Sequence, residues 1–286
     1  MEYLFHIAIL VTLYTMLSQS LTISAGFAGL LSLAQAGFYG IGAYTTAILS
    51  IHYHLPFWVN LPIAIIVSSI TALTSATIAL RTIDDYFIIC TLGIQVIIYS
   101  LMDNCLALTG GPFGMASIPP IYFFGFELGS KAAFLTVSLF FMLLIWLITR
   151  NIKRSGFGLA LHAIKEDEIL SMALGINVYK HKAIAFMLSA AFASIPGALY
   201  AHYISFIDPS SFTVGESIFI LSIVITGGPG RITGSFLSSV LMICIPELLR
   251  IAGLSIASSA NVRQIIYGLV LIAVLYPKNE RKLKAS

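Results

Sequence analysis

Apolar positions run in long blocks broken by short polar or glycine-rich stretches. The blocks are Tyr3–Ile23, Gly26–Ser50, Phe57–Leu80, Tyr86–Leu108, Ala132–Thr149, Ala183–Phe206, Ser217–Thr226, Ile232–Leu249 and Gln264–Tyr276. A bilayer core is crossed by about 20 helical residues, range 17–25. Most blocks reach that length, which predicts an all-α, polytopic membrane protein with about eight to ten transmembrane helices. The Ser217–Thr226 block is short and predicts a broken or re-entrant helix. The chain is expected to form one transmembrane domain over residues 1–286, with residues 151–182 as a loop within it. No Lys or Arg precedes the first block, so it lacks the basic start of a signal peptide and is expected to stay as a span.

Composition agrees with the pattern. Of 286 residues 58% are apolar and 9% charged, with a mean hydropathy of +0.97. A soluble domain carries about 25% charged residues. A water-exposed globule, a disordered chain and a disulfide scaffold are all excluded on these figures. Cys90, Cys105 and Cys244 read as packing thiols, and His52 and His54, the one close histidine pair, have no third ligand nearby.

Charge placement orients the chain. With nine spans and the C-terminus inside, twelve of the fifteen Lys and Arg residues fall on inner loops, leaving Lys131, Arg250 and Arg263 outside. The N-terminus is then outside and residues 151–182 are cytoplasmic. Lys153, Arg154, Lys165, Glu166, Asp167, Glu168, Lys180 and Lys182 concentrate in that loop. Leu159, Ala163, Leu170, Ala173 and Leu174 recur beside them at helical spacing, Glu166 to Glu168 suit a helix N-terminal turn, and Gly175 suits a stop. A short amphipathic helix outside the membrane is expected to dock a partner; a solvated loop stiffened by local helix is the plainer alternative.

No catalytic pattern is present: the sequence has no G-x-x-x-x-G-K-[ST], H-E-x-x-H, C-x-x-C or G-x-S-x-G. Catalytic and metal-ligating residues are therefore expected to be none, and any ATP that drives the protein is bound elsewhere. Within the spans, the small residues from Ser24 to Tyr44 suit close helix packing. Gln35 among them faces either a partner helix or a water-filled path. Thr109-Gly110-Gly111-Pro112 and Thr226-Gly227-Gly228-Pro229 end two blocks with the same break, a pattern that points to a path where two halves correspond. Asp103 lies inside an apolar block, about one helical turn from its outer end, as an interfacial carboxylate or a solute contact. Glu216 and Glu247 read as boundary residues.

Taken together these stretches resemble the LivM-type permease subunits of ATP-binding-cassette importers for branched-chain amino acids. The resemblance runs in order through Gly26 to Leu33, Gly40 to Tyr44, Asp85 to Phe87, Leu108 to Pro112, Ala163 to Glu168, Ala173 to Val178, Gly197 to His202 and Pro246 to Arg250. It implies that Ala160 to Gly175 form a coupling helix, with Ile164, Leu170 and Leu174 as apolar anchors, Glu166, Asp167 and Glu168 as polar contacts, and Ala160 and Ala173 on the same element. It implies a second permease subunit of LivH type, ATPase subunits that bind ATP and magnesium, a periplasmic or surface solute-binding protein, and an inner-membrane location with no nucleic-acid partner. The expected path includes Gln35, Asp103, Thr109, Gly110, Gly111, Gly227 and Gly228. Ala34 and the Gly227 to Arg231 stretch depart from the family's common pattern, and related permeases carry ribose, nucleosides or urea-type amides. An ion-coupled secondary transporter and a membrane scaffold without a pore are the readings from other classes.

Overall fold

The computed structural model of the chain describes residues 2–82, 85–123, 126–127, 130–251 and 268. The expected span Gln264–Tyr276 and the C-terminus lie outside these residues. The described chain is helical: α1 Glu2–Leu21, α2 Gln35–His52, α3 Phe57–Ala79, α4 Asp85–Asn104, α5 Leu106–Thr109, α6 Lys131–Arg154, α7 Gly156–Glu166, α8 Glu168–Ala173, α9 Val178–Ile204, α10 Val214–Gly227 and α11 Ile232–Ile251. Among the described residues six helical stretches are long and apolar enough to cross a membrane.

Two expected spans depart from a single straight crossing. The Gly26–Ser50 block is not one helix: α1 continues through π-helical turns over Thr22–Phe27, the chain then runs non-helically, and α2 starts at Gln35. The Ser217–Thr226 block forms α10, a helix of 14 residues, which a 3-10 turn over Pro209–Phe212 carries into the bundle.

The centre is the packing of α2 on α9. Glycines set the separation: a Cβ on Gly42 would lie 2.3 Å from the Ser194 carbonyl oxygen, and one on Gly197 would lie 2.1 Å from that of Tyr39. Such close approach substitutes for the hydrophobic drive that lipid cannot supply between helices. Phe38, Phe186 and Phe212 fill the space beside this seam. The outer faces of α3, α4 and α6 show apolar side chains such as Ile66, Ile70, Ile97, Leu101, Phe140 and Leu143, as a lipid-facing surface requires.

The bundle has two distinct ends. At one, Lys131 pairs with Glu2 at 2.9 Å, and two short antiparallel pairs cap the helices: β1 Met115–Ala116 with β4 Phe206–Ile207, and β2 Tyr122–Phe123 with β3 Phe126–Glu127. At the other, α7 and α8 form a hairpin between α6 and α9. Ser130, Ser155, Asp167 and Asn177 cap α6, α7, α8 and α9, each accepting a backbone N–H in the first turn.

Candidate functional site

The interruption before α2 places a helix start inside the bundle, where its first N–H groups have no partner along the helix. Side chains of α4 and α10, with the local Ser32, supply them. The Ala36 N–H donates to Ser217 Oγ at 2.9 Å and the Gly37 N–H to Gln95 Oε1 at 2.6 Å. The Leu33 N–H donates to Thr91 Oγ1 at 3.1 Å and the Ala34 N–H to Ser32 Oγ at 3.2 Å. Gln95, fully buried on α4, also donates from Nε2 to the Phe212 carbonyl at 2.7 Å. One amide thus joins α4, the start of α2 and the turn that leads into α10.

Gln35 belongs to the same polar layer. Its Nε2 donates to Ser20 Oγ at 2.6 Å and its Oε1 accepts from Ser189 Oγ at 3.3 Å. At 1% exposure it is an interhelical hydrogen-bonding residue tying α1, α2 and α9. These are the bonds to partner helices that the sequence offers as one of its two readings of Gln35. Gln95 carries the same signal, a side-chain amide inside an apolar block, and was open to the same reasoning.

The remaining expected path residues divide by place. Asp103 is half-buried near the end of α4. Thr109 is buried, and its hydroxyl donates to the Met102 and Cys105 carbonyls. Gly110 and Gly111 take φ of +73° and +58° to turn the chain after α5. These four lie toward the Lys131 end. Gly227 and Gly228 lie toward the hairpin end, where a Cβ on Gly227 would fall 2.6 Å from the Gly234 carbonyl group. The two matching tetrapeptides thus sit at opposite ends of the bundle.

Glu216 is a correction to its reading as a boundary residue. It accepts a hydrogen bond from the Tyr14 hydroxyl, and Tyr14 lies twelve residues into α1 from Glu2, about 18 Å at 1.5 Å per residue. Because the 3-10 turn at Pro209–Phe212 carries the chain inward first, α10 begins at depth. Its first-turn carboxylate lies there too, half-buried and favoured by the helix dipole. Tyr39, Tyr44 and Tyr200 gather around Phe212 beside it, with ring centroids 5.1 to 6.2 Å from that ring.

The hairpin holds the other expected set. A single helix from Ala160 to Gly175 does not form: Asp167 is extended, ends α7 and caps α8, with Oδ1 accepting the Leu170 N–H at 2.9 Å. An acidic side chain that accepts from the N–H three residues on competes with helix continuation, which explains the break. Gly175, at φ +82°, follows the end of α8 as the stop that its sequence position suggests. Ile164 is buried within this chain, and Ala160 is half-buried. Glu166, Asp167, Glu168, Leu170, Ala173, Leu174 and Gly175 are exposed. Exposed Leu159, Ile169 and Met172 extend the apolar face. Glu168 pairs with Lys182 on α9. A cavity of about 780 Å³ lies between the hairpin, the 28–31 stretch and the starts of the α3–α4 turn and α4, with Arg81, Phe87, Glu166 and Met172 among its walls.

Among the described residues no group of three His, Cys, Asp or Glu side chains is placed to hold a metal ion, and the three cysteines are free thiols. A buried seryl and amide layer offers hydrogen bonds and close packing; the exposed apolar hairpin offers a docking face.

Comparison with known proteins gives one family. The family model described as branched-chain amino acid transport system / permease component matches residues 3–275. The chain is 36% identical over 267 residues to the high-affinity branched-chain amino acid transport system permease protein LivM of Salmonella typhimurium, covering 85% of this chain and 63% of that protein. The LivM protein of Escherichia coli strain K12 matches with the same identity and coverage. The probable branched-chain amino acid transport permease protein LivH of Methanocaldococcus jannaschii is 24% identical over 277 residues, covering 92% of this chain and 84% of that one. The chain thus spans less than two thirds of the length of the two bacterial LivM proteins. No solved structure matches.

Proposed function

The chain belongs to the branched-chain amino acid transport permease family, and from that premise we propose that it is the transmembrane permease subunit of an ATP-binding-cassette importer that carries leucine, isoleucine and valine. Membership in a permease family and six apolar helices make it a multi-pass membrane protein. The observation that carries the finer reading is the α7–α8 hairpin, an apolar and acidic face outside the spans with Leu170 57% and Leu174 72% exposed. Apolar side chains in water ask for a protein partner. A separate ATPase subunit, which binds ATP and magnesium, is that partner.

Orientation supports the assignment. Four of the long apolar helices, α1, α3, α4 and α6, lie up to the start of the hairpin, and α2, which starts inside the bundle and returns to the Lys131 end, makes the number of passes odd. Among the described residues Arg81, Arg150, Lys153, Arg154, Lys165, Lys180, Lys182 and Arg231 gather at the hairpin end, against Lys131 and Arg250 toward the other. By the positive-inside rule the hairpin end faces the cytoplasm of a bacterial inner membrane. A LivH-type second permease and a solute-binding protein on the outer side complete the importer. The likeness to both LivM and LivH proteins suits two related permease chains side by side.

The test is uptake of labelled solutes into vesicles that hold this chain with its second permease, ATPase subunits and binding protein. Leucine uptake that needs ATP and ignores ionophores is the expected result. Uptake of ribose, a nucleoside or urea in place of leucine would reassign the solute. Uptake abolished by an ionophore would replace the ATP-driven reading by an ion-coupled one.

A further inference from the structure

Two lysines at the hairpin end, one in the last turn of a span and one beyond it, reach back to backbone carbonyls that helix breaks leave free. Lys165, in the last turn of α7, donates from Nζ to the Gly26 carbonyl at 2.9 Å. Gly26 lies in the π-helical end of α1, whose final carbonyls have no acceptor role further along the helix. Lys153, in the last turn of α6, donates from Nζ to the Gly230 carbonyl at 2.8 Å, and its ammonium stands 6.0 Å from the centre of the Phe27 ring. Gly230, at φ +86°, lies in the turn between α10 and α11.

The two carbonyl-bearing glycines are neighbours. A Cβ on Gly26 would lie 2.6 Å from the Gly230 nitrogen, so the end of α1 and the α10–α11 turn touch backbone to backbone. One small side chain borders this contact: Thr22 Cγ2 lies 2.8 Å from the same Cβ position, and the Thr22 hydroxyl is 3.2 Å from Ser235 Oγ. The rest is backbone on backbone, and such a contact shifts between two arrangements more readily than an interdigitated one.

The lysines stand on stiff mounts. Only Ser155 separates α6 from α7, and its Oγ accepts the Gly158 N–H at 3.3 Å. Gly158 packs so closely on the end of α6 that a Cβ there would lie 2.2 Å from the Ile152 carbonyl oxygen. The hairpin therefore turns with the end of α6, and both ammonium groups turn with it. Both bonds are charge-assisted, the stronger kind.

We propose that Lys153 and Lys165 form a two-point relay that carries displacement of the hairpin to the Gly26–Gly230 contact. The inference rests on reading the hairpin as the ATPase dock and adds the route by which its motion reaches the spans. The lysines are positioning residues and touch no solute. A load on the hairpin pulls the end of α1 through Lys165 and the α10–α11 turn through Lys153, and so shifts the two halves of one contact relative to each other.

The experiment uses the whole complex in vesicles and reads solute imported per ATP hydrolysed, with co-purification of the ATPase as the measure of assembly. The double variant Lys153→Met, Lys165→Met is expected to lower solute per ATP at least tenfold while ATP hydrolysis stays within twofold and assembly is intact. Lys153→Arg with Lys165→Arg, which keeps the donors, is expected to restore the ratio to within threefold of wild type. Should the double methionine variant not reach the membrane, Lys165→Met alone carries the expectation, at threefold or more. An unchanged ratio in the methionine variants would overturn the relay. So would loss of the ATPase from both the methionine and arginine variants, which would make the lysines assembly contacts. Absence of ATP-driven uptake in the wild-type complex would instead remove the permease reading, and the relay with it.

Discussion

The side-chain amide of Gln95 accepts the Gly37 N–H at 2.6 Å and donates to the Phe212 carbonyl at 2.7 Å, so a single buried residue of α4 satisfies the start of one helix and the approach to another. Gln95→Leu takes the partner from both backbone groups while keeping the site apolar. Each buried group so exposed to no partner costs about 1–3 kcal/mol. The variant is expected to unfold at clearly lower denaturant in detergent. Equal stability of Gln95→Leu and wild type would show that the amide does not hold the broken helix.

Glycine substitutions separate the close-packed positions from the open ones. A Cβ on Gly197 would meet the Tyr39 carbonyl oxygen at 2.1 Å and so force α2 and α9 apart. Gly197→Ala is expected to cost about 1–3 kcal/mol, the usual range for overpacking. Gly93, inside α4, has nothing within 4 Å of its Cβ position. There alanine is expected to stabilise the helix by up to about 1 kcal/mol through propensity alone. Thermal unfolding of the two variants in the same detergent checks the contrast, and a similar loss from both would refute it.

The fold class was legible because lipid imposes a simple rule: long apolar blocks become helices. The breaks were harder to read. The Gly26–Ser50 block has no polar interruption long enough to mark the stop at Phe27, since the non-helical turn is satisfied by Gln95, Ser217 and Thr91, which are remote in sequence. Glu216 was misplaced for the same reason, because the inward turn at Pro209–Phe212 depends on packing against Tyr39 and Tyr44. In the hairpin, the charges and the Gly175 stop were local signals and the sequence carried them. The division at Asp167 and the burial of Ile164 were not, because apolar spacing marks a helix face without saying which of its residues this chain itself covers.

That burial makes the hairpin testable residue by residue. Ile164 is 3% exposed and packs inward, whereas Leu174 is exposed. Ile164→Asp is expected to unfold the hairpin and reduce the amount of folded protein, because an unpaired charge enters a closed site. Leu170→Asp with Leu174→Asp is expected to leave folding intact and weaken ATPase association at least tenfold. Glu166→Lys with Leu170→Asp should likewise uncouple transport while insertion remains normal. The checks are chromatography of the purified chain and titration of the ATPase subunit onto the complex. Retention of full ATPase affinity by the Leu170, Leu174 pair would remove the docking face.

The Tyr14–Glu216 pair offers the sharpest check on the depth of α10. A carboxylate within a span is costly, by about 2.5–3.5 kcal/mol on insertion scales, unless it is hydrogen-bonded and faces polar surroundings. Here the Tyr14 hydroxyl donates to it and the first turn of α10 favours its charge. If these two side chains act as one unit, removing either should forfeit most of what the pair contributes. Tyr14→Phe and Glu216→Leu are each expected to lower stability, and the double variant to cost less than the sum by about 0.5–3 kcal/mol. Glu216→Gln, which keeps an acceptor for Tyr14, should fall closer to wild type than Glu216→Leu. Denaturant unfolding of the four proteins measures the coupling. Additivity within about 0.3 kcal/mol would mean that the two residues act independently, and that α1 and α10 are held at this level by the Tyr14–Phe219 ring contact at 5.1 Å and its apolar neighbours.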